Sequence, residues 1–413
     1  MCKGQNGMKS RQTLEVIETI REAIEYLNQL ESKEIIEKYI TLLDDIVLGI
    51  QNVNVELFCT IRIKGFDVQY QVNEVAKHLK ITSFLQNAKE WCDFATSIIN
   101  NRQSQANELD ERFVWLMDYV KYVEKEELIE HVKVRLMRLN KEHISLIDNF
   151  YQNHAYFWGV LDIKHGKYDV IYDRIDSLTE HIEDFIWLYQ RLGDYRSKLV
   201  LVNTLYNWIS FDPTYIRDMH ESNFKDYYDL DLLSCDENEV LVDIGAYTGD
   251  SALDYIMTYR KYKKIYCYEI TPQSIESMKN NLAEYENIEI VNKGLGAETG
   301  KMFLQTCAQD ASTNGLDESG QGIEIEVATL DEDVTEKVTL IKMDIEGAEK
   351  DALRGCVRHI KEERPKLLIC VYHNNRDIIE IPKMIADMRD DYKFYLRSNG
   401  MQWAPAELVL FAL

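Results

Sequence analysis

Four residues carry the first chemical signal in this chain: Asp243, Gly245, Gly249 and Glu269. Asp243 lies in the apolar run Val240–Ile244, and the two glycines follow it in the order D-x-G-x-x-x-G. A strand that ends in a glycine turn and feeds a helix lets a ligand approach its backbone. Glu269 ends a second apolar run, 26 residues after Asp243. An acid at that place accepts hydrogen bonds from both ribose hydroxyls of a nucleoside. The pattern departs from the G-x-G-x-x-G dinucleotide fingerprint, because Tyr247 stands where a glycine is expected. A nicotinamide dehydrogenase is therefore disfavoured. Two further groups, Asp344 and His373, end later apolar runs. In an open parallel sheet the strand C-termini face one crevice, so a carboxylate and an imidazole arrive on the same side. His373, with an ordinary pKa of about 6.5, suits removal of a proton from an acceptor. Asp344 would orient it, or the acceptor itself.

These residues need a βαβ framework, and residues 236–413 supply its texture. Short β-rich runs cover Val240–Ile244, Lys264–Glu269, Ile288–Asn292, Val338–Asp344, Pro365–Tyr372, Lys393–Arg397 and Glu407–Ala412. Helical stretches alternate with them at Asp250–Tyr259, Pro272–Tyr285, Gly347–Glu362 and Asp377–Arg389. That alternation predicts a parallel sheet. Two runs, Lys301–Thr306 and Ile323–Val327, bracket a Ser/Asn/Gly-rich loop and read as an inserted hairpin. The last two runs read as an antiparallel edge pair.

The first 235 residues read differently. No proline occurs before Pro213, and seven of the 18 glycines fall in this region. Breaker-poor tracts of this kind favour helix. Helices are expected from Thr13 to Leu27, from Ser32 to Ile50, and over Val72–Leu85, Glu90–Asn100, Glu108–Val123 and Glu126–Tyr151. Ser177-Leu-Thr-Glu180 has the spacing of a capping box. The aromatics between Tyr151 and Leu230 read mainly as helical core, with a stacking surface as the alternative. The region is taken as an all-α segment, 1–235, divisible into 1–150 and 151–235. The polar stretch Ser234-Cys-Asp-Glu-Asn238 separates it from the α/β part.

The α/β part resembles an FkbM-type methyltransferase of the class I, S-adenosylmethionine-dependent kind. The carrying stretches are Asp243-Ile-Gly-Ala-Tyr-Thr-Gly-Asp250, Tyr268-Glu-Ile-Thr-Pro272, Thr329-Leu-Asp331, Ile341-Lys-Met-Asp-Ile-Glu-Gly-Ala-Glu349 and Tyr372-His373. The resemblance implies a Rossmann-like seven-stranded fold and S-adenosylmethionine as cofactor. It places Asp243, Gly245 and Gly249 around the methionine part of the cofactor, with Ala246, Tyr247 and Asp250 also among the cofactor-binding residues. Glu269 and Ile270 fall at its ribose, Lys293 and Gly294 by its adenine, and Asp344 between cofactor and acceptor. His373 and Asp344 are the catalytic pair. The implied acceptor is a hydroxyl on a sugar or another secondary metabolite, free or on a glycan. The loop Asp310–Asn314 either folds over the cofactor or is solvated. Glu346 is read as a cap for the following helix, and Glu349 as a helix-face or buried-pair acid. Methyl transfer from a sulfonium mostly needs positioning, so no metal is required and no metal ligand is assigned. The metal weighed against that reading is Mg²⁺ at Asp344 and the His373-Asn374-Asn375 turn. Mg²⁺ prefers oxygen, which makes His373 a poor ligand.

Composition narrows the partners. The net charge is −24, which argues against nucleic-acid binding and against anionic membranes. The eight cysteines show no CxxC pair or zinc spacing, and are expected as reduced thiols of a cytoplasmic protein. Neither a signal peptide nor an 18-residue apolar run is read, so membrane insertion is not expected. The helical segment suits a homo-oligomer contact, a gate or a hold on the acceptor. A rival reading makes it the working half of an interaction protein, with a domain that only binds cofactor.

Overall fold

The computed structural model describes residues 108–224, 226–305, 315–317, 323–400 and 404–413. The helices expected before residue 101 and the loop Asp310–Asn314 lie outside them. The chain forms two compact units, Met1–Asp118 and Tyr119–Leu413. Of the first, the described part is the start of the helix Glu108–Tyr122.

The second unit opens with helices α1 (Lys125–Arg138), α2 (Lys141–Asn153), α3 (Asp169–Glu180), α4 (Ile182–Arg191) and α5 (Tyr195–Ser210). The single helix expected over Glu126–Tyr151 is thus two. Leu139 adopts extended backbone, and Asn140 accepts a hydrogen bond from His143 N at 2.9 Å as the N-cap of α2. An asparagine competes with a helix interior for backbone donors and favours caps. Replacing Asn140 with alanine should therefore lower stability by about 1 kcal/mol, read as an earlier urea midpoint. A second correction concerns Ser177. It lies inside α3 rather than at a helix start, and the neighbouring Thr179 hydroxyl bonds back to Ile175 O at 2.8 Å. The aromatics of this region are mostly core: Phe185, Trp208, Tyr206 and Tyr189 are all buried.

The seven-stranded sheet contains β1 (Val240–Ile244), β2 (Lys264–Tyr268), β3 (Ile288–Val291), β8 (Leu340–Met343), β9 (Lys366–Cys370), β10 (Phe394–Ser398) and β11 (Leu408–Ala412). Its order is β10-β11-β9-β8-β1-β2-β3. The strands β9, β8, β1, β2 and β3 pair in parallel, and β11 runs antiparallel between β9 and β10. Continuous burial along β1, β8 and β11 explains their unbroken apolar sequence, as a sheet covered on both faces requires. Helices α6 (Asp250–Tyr259), α7 (Pro272–Asn281), α8 (Glu349–Arg354) and α9 (Asp377–Met388) fill the connections.

A second sheet holds β4 (Gly294–Leu295), β5 (Gly300–Gln305), β6 (Gly315–Asp317) and β7 (Ile323–Ala328). The expected hairpin is its antiparallel β5–β7 pair, widened by two short strands. The helix expected over Gly347–Glu362 is broken. α8 ends at Arg354, and a π-helical turn covers His359–Glu363. Gly355 is the C-cap at the break, packed so closely that a side chain there would come within 2.2 Å of Gly296 O. The Asp331 carboxylate then accepts from the backbone N–H groups of Arg358 and His359.

The helical layer docks on the edge strand β10. Gly193 N donates to Phe394 O at 2.8 Å, and Leu396 N donates to the Ser197 hydroxyl at 2.9 Å. The buried Arg397 guanidinium reaches Asp229 at 2.5 Å and Asp194 at 2.8 Å. An otherwise open strand edge is thereby covered. Among the described residues no helix is long and apolar enough to cross a membrane. Cys235, Cys267, Cys356 and Cys370 are free thiols.

Candidate functional site

The loop after β1 owes its shape to absent side chains. Gly245 has φ +75°, and a Cβ there would lie 1.8 Å from Asp344 O. Its N–H and that of Ala246 both donate to Tyr268 O at 3.0 Å. Tyr247 takes a left-handed φ of +44°, the conformation a glycine would adopt there more easily. Its N–H donates to Glu269 Oε2 at 2.9 Å. Gly249, at φ +81°, starts α6. Beneath the loop, Asp243 is fully buried. It accepts from the Ser251 hydroxyl at 2.5 Å and pairs with Lys342 Nζ at 3.1 Å. Lys342 also donates to Gly245 O at 2.8 Å, so one buried cation ties β8 to β1 and to the loop. Its register partner on β1 is Asp243.

A cavity opens at the C-terminal ends of β1, β2 and β8. Of the residues singled out in the sequence, Gly245, Tyr247, Asp250, Glu269, Ile270, Lys293, Gly294 and Asp344 line it. Asp243, Ala246, Gly249 and His373 do not; Asp243 and Gly249 shape the loop from behind and Ala246 belongs to the core. Glu269 Oε1 accepts from Ile270 N and Thr271 N, each at 2.7 Å. Its carboxylate therefore joins the loop to the start of α7 and still faces the cavity.

At the other end of the cavity stand Asp344, Glu346, Tyr227, Tyr372 and Glu407. Asp344 Oδ2 accepts from the Tyr227 hydroxyl at 2.7 Å. Glu346 and Glu407 both hold left-handed backbone, at φ +58° and +54°. His373 lies just behind, 2% exposed. Its Nε2 is 3.5 Å from Asp344 Oδ1 and from Glu346 Oε2, and its Nδ1 is 2.9 Å from Glu349 Oε1. Burial pulls the imidazole down, but the facing carboxylates outweigh it and raise its pKa to about 10. Burial pushes Glu346 up to about 8 and Glu407 up to about 7. Burial also pushes Asp344 up, yet His373 and Lys342 together hold it below the ordinary carboxylate value. The facing carboxylates thus favour positive charge at this position. From the helical layer, Phe157 packs on His373 at 5.0 Å between centroids, and Trp158 Nε1 donates to Tyr372 O at 2.7 Å.

This geometry agrees with the comparison against known families. Residues 243–400 match the Methyltransferase FkbM domain. Outside that match, none of the curated proteins resembles the chain. Among solved structures, a methyltransferase FkbM from Methylobacillus flagellatus KT is similar at 24% identity and a TM-score of 0.51. The likeness covers 67% of this chain and 72% of that one, and it shows the fold. An rRNA methylase from Streptococcus thermophilus aligns at 15% identity and TM-score 0.28, over 43% of this chain and 87% of its own. A Streptococcus mutans protein solved in complex with SAH aligns at 14% identity and TM-score 0.28, over 43% and 89%. The matched region thus contains most of the cavity lining and the whole of the Asp344–His373–Glu349 cluster.

Several residues of the cavity and its surroundings carry no site role in the sequence analysis. Lys342 stood in the quoted motif without a role, although a lysine inside an apolar strand requires a buried acid as partner. Glu346 was read as a helix cap. Instead it lines the cavity; α8 starts after Ala348 with no side-chain cap, and Glu349 accepts from Ile345 N at 3.0 Å. Glu349 is fully buried against His373, in keeping with its reading as a buried-pair acid. Tyr227 and Glu407 are distant in sequence from every motif and become visible only once β11 and the layer before β1 are folded.

Proposed function

We propose that this chain is an S-adenosylmethionine-dependent O-methyltransferase whose acceptor is a hydroxyl on a sugar or another secondary metabolite. The observation that supports it is Glu269 at the end of β2, facing the cavity beside a glycine loop. Three backbone N–H groups fix the carboxylate, and an ionised carboxylate has roughly four lone-pair sites. One acceptor site, on Oε2, therefore remains for a ribose hydroxyl. Ile270 and Leu295 line the same end and offer apolar walls to a base. When bound, the cofactor supplies an electrophilic methyl group on a sulfonium.

The protein's part is placement and charge. Asp344 and Glu346 front the acceptor end, and the ionised Asp344 carboxylate receives the proton a hydroxyl loses on alkylation. His373 acts through them as a positioning residue. Tyr227 fixes one oxygen of Asp344, leaving the other directed into the cluster.

Titration calorimetry with S-adenosylmethionine tests the cofactor half. Wild type should bind one equivalent. Glu269→Ala should bind roughly 10–100-fold more weakly, the loss of about 1.5–3 kcal/mol for a charged hydrogen bond. No binding to wild type, or equal affinity in the variant, removes the cofactor assignment. Transfer of labelled methyl to hydroxylated rather than amine acceptors tests the acceptor half.

A further inference from the structure

We propose that Asp344, Glu349 and His373 form a binding site for a divalent transition-metal ion. Each offers a donor atom, and the three atoms lie within 4.8 Å of one another. Asp344 Oδ1, Glu349 Oε2 and both ring nitrogens of His373 make no aligned hydrogen bond. Glu349 and His373 are 0% and 2% exposed, so no bulk water serves these atoms. Buried carboxylates are costly unless a cation offsets them; the nearest group here is the His373 ring, 2.9 Å from Glu349 Oε1, and a metal ion between them would supply the same balance of charge.

The remaining atoms of the carboxylates are already committed. Tyr227 donates to Asp344 Oδ2 and Ile345 N to Glu349 Oε1. Such outer contacts orient ligands in metal sites. The nearby cations are engaged elsewhere: Lys342 with Asp243, and Lys350 with Asp377 and Glu380. A turn through Glu346 (φ +58°) and Gly347 (φ +99°) folds the chain back, so that Glu349 returns beneath Asp344. No ligand spacing is visible in the sequence for that reason, and the expectation of a metal-free site is what this proposal replaces.

An imidazole among carboxylates selects Mn²⁺, Fe²⁺, Co²⁺ or Zn²⁺ over the all-oxygen ions Mg²⁺ and Ca²⁺. Three protein ligands leave coordination positions open, the form of a catalytic rather than a structural site. Asp344 alone of the three lines the cavity, so an open position faces the acceptor end. An ion there would lower the pKa of a hydroxyl bound to it. Ion binding itself does not rest on the methyl-transfer reading.

The test uses the full chain, stripped with EDTA and titrated with MnCl2, CoCl2, ZnCl2 and MgCl2. Calorimetry should show one Mn²⁺ or Co²⁺ per chain, with Mg²⁺ weaker by at least about 10-fold. Co²⁺ should give d–d absorption bands that change on mutation. His373→Gln and Glu349→Gln should each weaken binding about 100-fold, and Asp344→Asn provides a third variant if one of these fails to fold. Near-UV circular dichroism of the metal-free variants shows which of them are folded. No stoichiometric binding to wild type overturns the proposal, as does unchanged affinity in the folded variants or a preference for Mg²⁺. S-adenosylmethionine titrations in EDTA are read separately, so failure of the metal site and failure of the cofactor assignment give different results.

Discussion

Replacing Lys342 with methionine is expected to cost the fold about 3–5 kcal/mol, the usual penalty for leaving one partner of a buried ion pair alone. Lys342 is 2% exposed and holds Asp243 at 3.1 Å and Gly245 O at 2.8 Å. Burial disfavours its charge, yet the carboxylates of Asp243 and Asp344 prevail and raise its pKa above the ordinary lysine value. The variant keeps the stem volume but leaves the Asp243 carboxylate with the Ser251 hydroxyl alone. Adding Asp243→Asn should recover part of the loss, because the stranded charge is removed. Urea unfolding of the two single variants and the double variant measures this coupling. A cost below about 1 kcal/mol in Lys342→Met, or strict additivity in the cycle, would show that the pair does not organise the loop.

The second large effect is expected from Gly245→Ala. A methyl at this position meets a backbone oxygen, Asp344 O at 1.8 Å, which no rotamer change can relieve. The left-handed φ of +75° adds strain of roughly 1–3 kcal/mol. Either the loop or the end of β8 must move, and the cavity lies between them. S-adenosylmethionine affinity should fall about 100-fold or more, while the unfolding transition remains cooperative. Gly300→Ala is the control: nothing lies within 4 Å of its Cβ, and its affinity should equal wild type. Equal affinity in Gly245→Ala would separate this loop from the ligand site.

The parallel strands were legible because burial on both faces writes them as unbroken apolar runs. β1 matches its expected span, Val240–Ile244, as α6 matches Asp250–Tyr259. The helix breaks were hidden for a local reason. Leu139 suits a helix by composition, and only the capping contact of Asn140 reveals the stop. At Gly355 the requirement for glycine is tertiary, since the backbone that a side chain would meet is that of Gly296, far away in sequence.

The candidate site divides in the same manner. Asp243, Gly245 and Glu269 announce themselves because a charge or a glycine interrupts an apolar pattern. Glu407 begins an apolar run near the end of the chain, and nothing local distinguishes it from a strand-edge acid. It reaches the cavity because β11 runs antiparallel beside β9, carrying Glu407 to the end where Asp344 stands. His373 was legible as a group at this end of the sheet. Its raised pKa was not, because the Glu349 carboxylate beside it arrives through the turn at Gly347.

Arg397 bears on how the matched region can be inherited or transplanted. The matched region, residues 243–400, contains the arginine, but its two acids, Asp194 and Asp229, precede that region. A gene fragment cut at the start of the α/β part would encode a guanidinium with both counter-charges deleted and an uncovered sheet edge at β10. The helical layer therefore travels with the sheet as one heritable piece, and recombination that swaps the FkbM region alone would have to bring replacements for Asp194 and Asp229.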